Sequence, residues 1–391
     1  MREQIEALIA EMKSELIDLS EYIYEHPELG YDEYKSSKAH IDFLKKYNFD
    51  VTEKYLEIDT AFRAEYDSGK EGPTIGYLAE YDALPNIGHG CGHNLLGTTS
   101  TGAGIILSKL MDEIGGRVIV FGTPAEETSG AKVIMADEGA FDDVDVAMLA
   151  HPNDEYNASG DSLAIEPVEF TFKGKSAHAA SNPEEGINAL DGVLQTFNSI
   201  NMLREHINPT AKIHGIITDG GKAANVVPEL AVAQFYVRAT TKGYLEELSE
   251  KVKNCARGAS LATGTELEIR NHELPYDDMI TNQALSDRFM KNLEAFGIED
   301  AKGSKESFGS IDMGNVSHVC PAIHPYFAIT EGKSLIAHTK EFAEATLTDT
   351  AYDNMFKTIA TLALTGVDVI EDQSFLEEIQ AEFNQRYEKN K

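Results

Sequence analysis

The sequence is poor in cysteine and in basic residues, and it lacks a long apolar run. Its three cysteines, Cys91, Cys255 and Cys320, are too few for a disulfide framework and fit a reducing compartment. The 66 Asp and Glu outnumber the 33 Lys and Arg, and the net charge of −33 would repel a phosphate backbone. No stretch reaches the roughly 20 apolar residues that span a bilayer, and the chain opens on an amphipathic pattern, not on a basic signal peptide. We therefore expect a cytoplasmic protein that binds neither nucleic acid nor membrane.

The length of the chain indicates a folded protein of two domains, because 391 residues are more than usually form a single hydrophobic core. Apolar residues at helical spacing predict helices over 2–25 and 33–46. Strand-like runs at 74–78, 117–122 and 146–150, with a helix near 96–113, predict an α/β fold. In such folds the loops at the strand ends carry the chemistry.

The pattern changes between 164 and 275. Strands at 165–173, 211–218, 229–239 and 265–271, with helices at 184–204 and 243–262, predict a β-α-β-β-α-β unit of ferredoxin-like type. We predict that this α+β unit is a lid domain of residues 164–275, inserted into a discontinuous domain of residues 1–163 and 276–391.

Three short segments of the first domain carry groups that could bind metal. Cys91 and His93 lie two residues apart in a Gly-rich loop, a spacing that an incidental Gly-rich turn would also show. Glu126 and Glu127 end an apolar strand, although paired acids are common on solvated loops. His151 follows another apolar strand, where a lone His is more often an ordinary hydrogen-bonded residue. Strand ends of an α/β sheet converge at one edge, so the three segments together predict a metal site.

Seven short motifs follow one another along the chain: His26-Pro27-Glu28-Leu29-Gly30, Glu80-Tyr81-Asp82-Ala83-Leu84-Pro85, Cys91-Gly92-His93, Pro124-Ala125-Glu126-Glu127, Gly174-Lys175-Ser176-Ala177-His178-Ala179-Ala180, Asn225-Val226-Val227-Pro228 and Gly309-Ser310-Ile311-Asp312. These motifs, in this order, resemble the M20 metallopeptidase family, and within it the amidohydrolase branch. That branch includes M20-domain-containing dipeptidases, aminobenzoyl-glutamate hydrolase subunits and staphylococcal amidohydrolases. The resemblance covers nearly the whole chain and implies a zinc-peptidase-like mixed sheet flanked by helices.

The resemblance implies two divalent metal ions in each subunit, with zinc expected first and manganese, cobalt or nickel as alternatives. Cys91 would bridge the two ions and Glu126 would be the general base. The last ligand could be His324 or His338, and we choose His338 because related proteins place it in a similar His-Thr turn. The implied metal ligands are Cys91, His93, Glu127, His151 and His338.

Two positions near these ligands also follow from the resemblance. Asp82 belongs to the acidic version of the family's metal motif, and we expect it to orient a ligand and not to bind metal. Asn94 stands where the branch usually has Asp, and we expect this change to alter hydrogen bonding around the ligands.

The inserted domain would supply the remaining groups. In the family the equivalent of His178 polarises the scissile carbonyl, and the equivalents of Asn225 and Arg238 bind the substrate's carboxylate. Because that histidine usually comes from a neighbouring subunit through pairing of inserted domains, the resemblance implies a homodimer or a homotetramer.

The expected function is hydrolysis of the amide bond of dipeptides or N-acyl-amino acids by a metal-activated water, with Glu126 as base. A peptidase acting on longer peptides would use the same chemistry. An inactive binding protein on this fold is the other alternative. Glu126 argues against it, because a protein that only binds does not need the base.

Overall fold

The chain forms two units in a computed structural model that describes residues 1–305 and 309–390. The first is Met1–Asp161 with Met279–Lys389, and the second is Ser162–Asp278. The predicted insertion over 164–275 lies within the second unit. The predicted range 276–391 includes 306–308 and 391, which lie outside the described residues.

Helices and strands alternate along most of the chain. Up to residue 161 the order is α1 (Arg2–Glu25), α2 (Tyr34–Lys46), β1 (Asp50–Glu53), β2 (Phe62–Asp67), β3 (Thr74–Ala79), α3 (His93–Ser108), α4 (Met111–Ile114), β4 (Arg117–Gly122), α5 (Ala131–Asp137), β5 (Val146–Met148) and β6 (His151–Asn153). The second unit contains β7 (Ala164–Lys173), α6 (Ala189–Leu203), β8 (Lys212–Asp219), β9 (Leu230–Ala239), α7 (Lys242–Thr263) and β10 (Glu266–Asn271). The chain ends with α8 (Gln283–Ala295), α9 (Met313–Ser317), β11 (Ala322–Ile323), β12 (Tyr326–Ala328), α10 (Lys340–Ala345), α11 (Asp349–Glu371) and α12 (Gln373–Asn390).

The first unit is built on a mixed sheet in the order β1-β2-β4-β3-β5-β11. Strands β4, β3, β5 and β11 are parallel, and β1 and β2 add an antiparallel edge. A separate parallel pair joins β6 to β12. The carboxyl ends of β3, β4 and β5 therefore point to one edge, where the segments with the predicted ligands leave the sheet.

The central strands are buried on both faces, as their apolar sequences require. Tyr77 and Val120 pack in a cluster with residues of α1, α3 and α11. Leu78 and Phe121, the next residues along each strand, pack instead with residues of α5 and α9. Helices thus cover both faces of the sheet, which confirms the predicted α/β architecture.

The second unit is an antiparallel sheet in the order β10-β7-β9-β8 with α6 and α7 on one face. In β9 every second residue, from Ala231 to Ala239, is buried against these helices. The order and the β-α-β-β-α-β connection are those of a ferredoxin-like fold, which confirms the predicted α+β unit.

Three local features differ from the sequence prediction. The helix expected from residue 96 begins at His93 because Gly92, at φ 80°, turns the chain directly into it. The helix expected from residue 184 begins at Ala189, where the Asn188 side chain caps it by accepting from the Leu190 amide at 3.0 Å. Strands β1 and β2 were not predicted; β1 is polar and mostly exposed. No helix in the described ranges has the length and apolarity needed to cross a bilayer.

Candidate metal centre

The Gly-rich loop before α3 packs closely against the segments that carry His151 and His338. A Cβ atom on Gly92 would lie 2.9 Å from Pro152, the residue after His151. The backbone N–H of His338 donates to the carbonyl of Gly90 at 2.8 Å. The close approach of Pro152 needs a residue without a side chain at 92, and the two contacts together bring Cys91 beside both histidines.

The first group of possible ligands consists of Cys91, His93 and His151, whose donor atoms all lie within 4.8 Å of one another. The Sγ of Cys91 is 3.8 Å from Nε2 of His151. The Nδ1 atom of His151 lies 2.8 Å from the carbonyl of Pro152, so Nδ1 carries the proton and Nε2 keeps its lone pair. Burial, helped by the neighbouring His324 and His93, lowers the pKa of His151 to about 3, which keeps it neutral as a ligand must be.

The second group consists of Cys91, Glu127 and His338, so the two groups share Cys91. The Nε2 atom of His338 lies 3.4 Å from the Cys91 sulfur and 3.4 Å from Oε2 of Glu127. The other candidate, His324, stacks on the ring of His151 with centroids 5.5 Å apart and belongs to no such group within the described ranges. This geometry favours His338 as the last ligand.

Asp82 holds two parts of the cluster with one carboxylate. Its Oδ1 accepts a hydrogen bond from Nδ1 of His93 at 2.9 Å, and its Oδ2 accepts from the backbone N–H of Glu127 at 3.0 Å. The ring of His93 is therefore fixed with Nε2 facing the cluster. Burial alone would lower the pKa of His93, but the charges of Asp82 and Glu80 outweigh it and raise the pKa well above its ordinary value.

Glu126 is partly exposed, and its carboxylate lies within 4.8 Å of donor atoms of Glu80 and His93. Burial raises its pKa well above the ordinary value, and the negative charges of Glu80, Glu127 and Asp312 add to the effect. A carboxyl group that binds a proton more strongly than usual is suited to take one up and pass it on.

A strained turn carries Glu126 and Glu127. Ala125 has φ 65°, a conformation that non-glycine residues rarely adopt. Its N–H donates to Oε1 of the fully buried Glu33 at 2.8 Å, and a Cβ atom on Gly30 would lie 2.9 Å from its Cα. The 26–30 motif and Glu33 thus support the turn, a function that sequence reasoning did not assign to them.

Sequence reasoning also missed a buried charge cluster next to His93. The ammonium group of Lys132 lies 2.8 Å from Oε1 of Glu80 and 2.7 Å from Oδ1 of Asp312, and all three side chains are buried. Glu80 and Asp312 fall inside motifs that carry the family resemblance, which was the available signal. Lys132 had none, because a lysine in a short helix usually lies on the surface.

Asn94 lies in the first turn of α3 and is buried. Its amide donates to the hydroxyl groups of Ser20 at 3.1 Å and Thr346 at 3.3 Å. It thus ties α3 to α1 and to the segment after α10.

In the second unit the structure brings His178 next to Asn225. The backbone N–H of Ala179 donates to the carbonyl of Asn225 at 3.0 Å, which pairs the two segments. The Nδ1 atom of the exposed His178 accepts from the backbone N–H groups of Ala180 and Ser181, each at 3.2 Å. Neutral His178 then carries its proton on Nε2, where it can donate to a substrate carbonyl.

Arg238 lies on β9, on the sheet face opposite α6 and α7. Its guanidinium lies over the ring of Tyr236, 5.9 Å from the centroid, and the ring of His214 is 5.6 Å from the same ring. Burial lowers the pKa of Arg238 from its ordinary value, although an arginine remains charged at neutral pH.

Known proteins are similar to this chain over most of its length. A model of the M20 peptidase dimerisation domain matches residues 167–263. The chain is 36% identical over 394 residues to the Xaa-Arg dipeptidase of Mus musculus, with 96% of this chain and 90% of the mouse protein covered.

Solved structures share the fold. A crystal structure described as an aminohydrolase from methicillin-resistant Staphylococcus aureus matches with a TM-score of 0.80 and 19% identity, over 95% of this chain and 100% of that one. A dinuclear metal-binding M20 peptidase from Bacillus subtilis matches with a TM-score of 0.69 and 19% identity, over 93% of this chain and 99% of that one. The family and the enzyme class predicted from the sequence are confirmed: the chain belongs to the M20 peptidase family and is a hydrolase of amide or peptide bonds.

Proposed function

We propose that this enzyme is a two-metal dipeptidase that also accepts N-acyl-amino acids, with Glu126 as the general base. The observation that carries the proposal is the pair of ligand groups that share Cys91 beside Glu126. The relative from Mus musculus is an Xaa-Arg dipeptidase, so dipeptides with a C-terminal arginine are the first substrates to test.

The residues of the cluster fit divalent metal ions. One thiol, three imidazoles and one carboxylate form the donor set that borderline ions such as zinc prefer, and manganese, cobalt or nickel would also bind. Two of the donor atoms, Nε2 of His93 and Oε1 of Glu127, are buried without a hydrogen-bond partner within the described part of the chain. When bound, the metal ions would acidify a water molecule and polarise the scissile carbonyl.

Glu126 would take the proton from the attacking water and deliver it to the leaving amine. Its neighbour Glu127 faces His338, so the two adjacent carboxylates have separate tasks, one in proton transfer and one in binding metal. The products would be two amino acids from a dipeptide, or a carboxylic acid and an amino acid from an acylated substrate.

The second unit would bind the rest of the substrate. His178, which carries its proton on Nε2, would donate to the carbonyl oxygen as negative charge develops there. Arg238 and Asn225 would bind the free carboxylate of the C-terminal residue, because the planar guanidinium matches a carboxylate with two hydrogen bonds.

The test of the function is release of free amine from a panel of Xaa-Arg dipeptides, other dipeptides, N-acyl-amino acids and longer peptides. The proposal expects turnover of the dipeptides and weak or no turnover of longer peptides. Preference for longer peptides would instead indicate a peptidase that acts on longer peptides with the same chemistry. A metal-loaded protein that cleaves nothing in the panel would favour a binding protein.

Replacing Arg238 or Asn225 with Ala should weaken recognition of substrates with a free carboxylate. The lost charge-assisted hydrogen bonds are worth about 1.5 to 3 kcal/mol, or about 10- to 150-fold in kcat/KM. A dipeptide amide should already be a poor substrate and should lose little more.

Arg270→Ala is the matched control for Arg238→Ala. Arg270 lies on the same sheet face, in β10, but its side chain is mostly exposed and pairs with Glu169 at 2.7 Å. Its loss should leave both substrates unaffected. Equal losses for the free and amidated substrates in the Arg238 variant would point to a structural role.

A further inference from the structure

Glu80 directly follows β3 and is almost completely buried, yet its two oxygens have different surroundings. Its Oε1 lies 2.8 Å from the ammonium group of Lys132. Its Oε2 points the other way and lies 3.2 Å from Nε2 of His93. The carboxylate therefore connects the buried charge cluster to the ligand cluster.

The second oxygen has no hydrogen-bond partner among the described residues. Neither Oε2 of Glu80 nor Nε2 of His93 forms a hydrogen bond with any described residue, although the two atoms are close. The other ring nitrogen of His93 already bonds to Asp82, so Nε2 is the only atom through which this ring can bind a metal. Two buried atoms that could each bind a metal, that face each other and that lack a hydrogen-bond partner are the arrangement expected of ligands that share a cation.

We propose that Glu80 is an additional anionic ligand of the metal ion at His93, and that Lys132 holds it in that position. The inference rests on the two-metal centre proposed above. The donor atoms of Glu80, His93 and Glu126 lie within 4.8 Å of one another, a third group that overlaps the first at His93. With an oxygen ligand, this metal site would contain a harder donor than thiolate and imidazole, and it would suit manganese better than a site without that oxygen.

Lys132 is the positioning residue in this arrangement. Its side chain is fully buried, and its ammonium group lies between one oxygen of Glu80 and one of Asp312. A buried lysine requires at least one such partner, and Asp312 supplies it whether or not Glu80 also binds metal. One oxygen of Glu80 thus anchors the carboxylate, and the other remains available to the metal.

The alternative role for this cluster is purely structural, and paired variants separate the two roles. Glu80→Gln and Asp312→Asn each remove one of the two carboxylates beside Lys132 and leave it paired with the other. Of these two carboxylates, the one that pairs with His93 is that of Glu80. The two variants therefore remove the same buried charge, but Glu80→Gln also removes the proposed metal ligand.

The measurement is calorimetric titration of metal-free protein with zinc and with manganese, together with the visible spectrum of the cobalt-loaded protein. Wild type and Asp312→Asn should bind two ions per chain. Glu80→Gln should bind one ion normally and the other at least about 10-fold more weakly, with a changed cobalt spectrum. Thermal unfolding of the metal-free proteins checks that all three are folded.

Normal binding of two ions by Glu80→Gln would overturn the proposal while leaving the metal centre intact. Equal losses in both variants would also overturn it, because they would assign the cluster a structural role. A wild-type protein that binds no ions would overturn the proposed function as well. Should the Gln variant not fold, Glu80→Asp keeps the charge beside Lys132 and retracts the carboxylate. It should weaken the same site, and unchanged binding would contradict the proposal.

Discussion

Glu126→Gln is expected to keep both metal ions and to lower kcat by about 100-fold or more. The substitution preserves size and removes the group that accepts the proton, and general base catalysis typically contributes that much. Glu126 belongs to neither of the groups that share Cys91, and its group with Glu80 and His93 keeps both of those residues in the variant, so metal content should be unchanged. Metal analysis and steady-state kinetics on a dipeptide give the two values.

Glu127→Gln is the matched variant, one residue along the same turn. Its carboxylate lies 3.4 Å from Nε2 of His338, in the second ligand group. This variant should lose metal, and excess metal should restore part of its activity. If the two variants show the same metal content and the same residual rate, the assignment of roles is wrong.

Mixing two inactive variants should restore activity if His178 acts across a dimer. His178 lies within residues 167–263, which match the peptidase dimerisation domain, whereas the ligand set belongs to the other unit. A Glu126→Gln subunit keeps His178 but has an inactive metal site, and a His178→Ala subunit has the reverse defect. A heterodimer then has one complete site and should recover up to about half of wild-type activity if the sites act independently.

The control for this experiment is each parent variant on its own. The two parents, carried through the same dissociation and reassociation separately, should remain inactive. A mixture that stays inactive although heterodimers are shown to form would mean that His178 acts within its own subunit or not at all. Recovery would also establish that dimerisation is part of catalysis.

The predictable parts of the fold are those where local pattern and tertiary packing agree. In β9 every second residue faces the helices, so alternation alone located the strand. Strand β1 could not be found in this way because it lies at the sheet edge and is mostly exposed. The start of α3 was missed because Gly92 turns the chain into the helix, whereas the sequence there shows a Gly-rich loop.

In the site, sequence motifs pointed to the residues that hold reactive groups and to Asp82, which contacts His93, but not to the other residues that support them. Cys91 and His93 could be found from their spacing and the family resemblance. Lys132 could not, because its burial depends on carboxylates 52 residues before it and 180 residues after it in the chain, at Glu80 and Asp312. The strain at Ala125 is likewise a property of the folded turn and has no signature in Pro-Ala-Glu-Glu.

The most direct test of the two-metal account is to remove and restore the metal in the same protein sample. Metal-free protein should release no amine from a dipeptide, and activity should return with zinc or manganese as the metal content approaches two ions per chain. Cys91→Ser should lower the affinity for both ions, because both ligand groups share that residue. Full activity in protein shown to contain no metal would contradict the account.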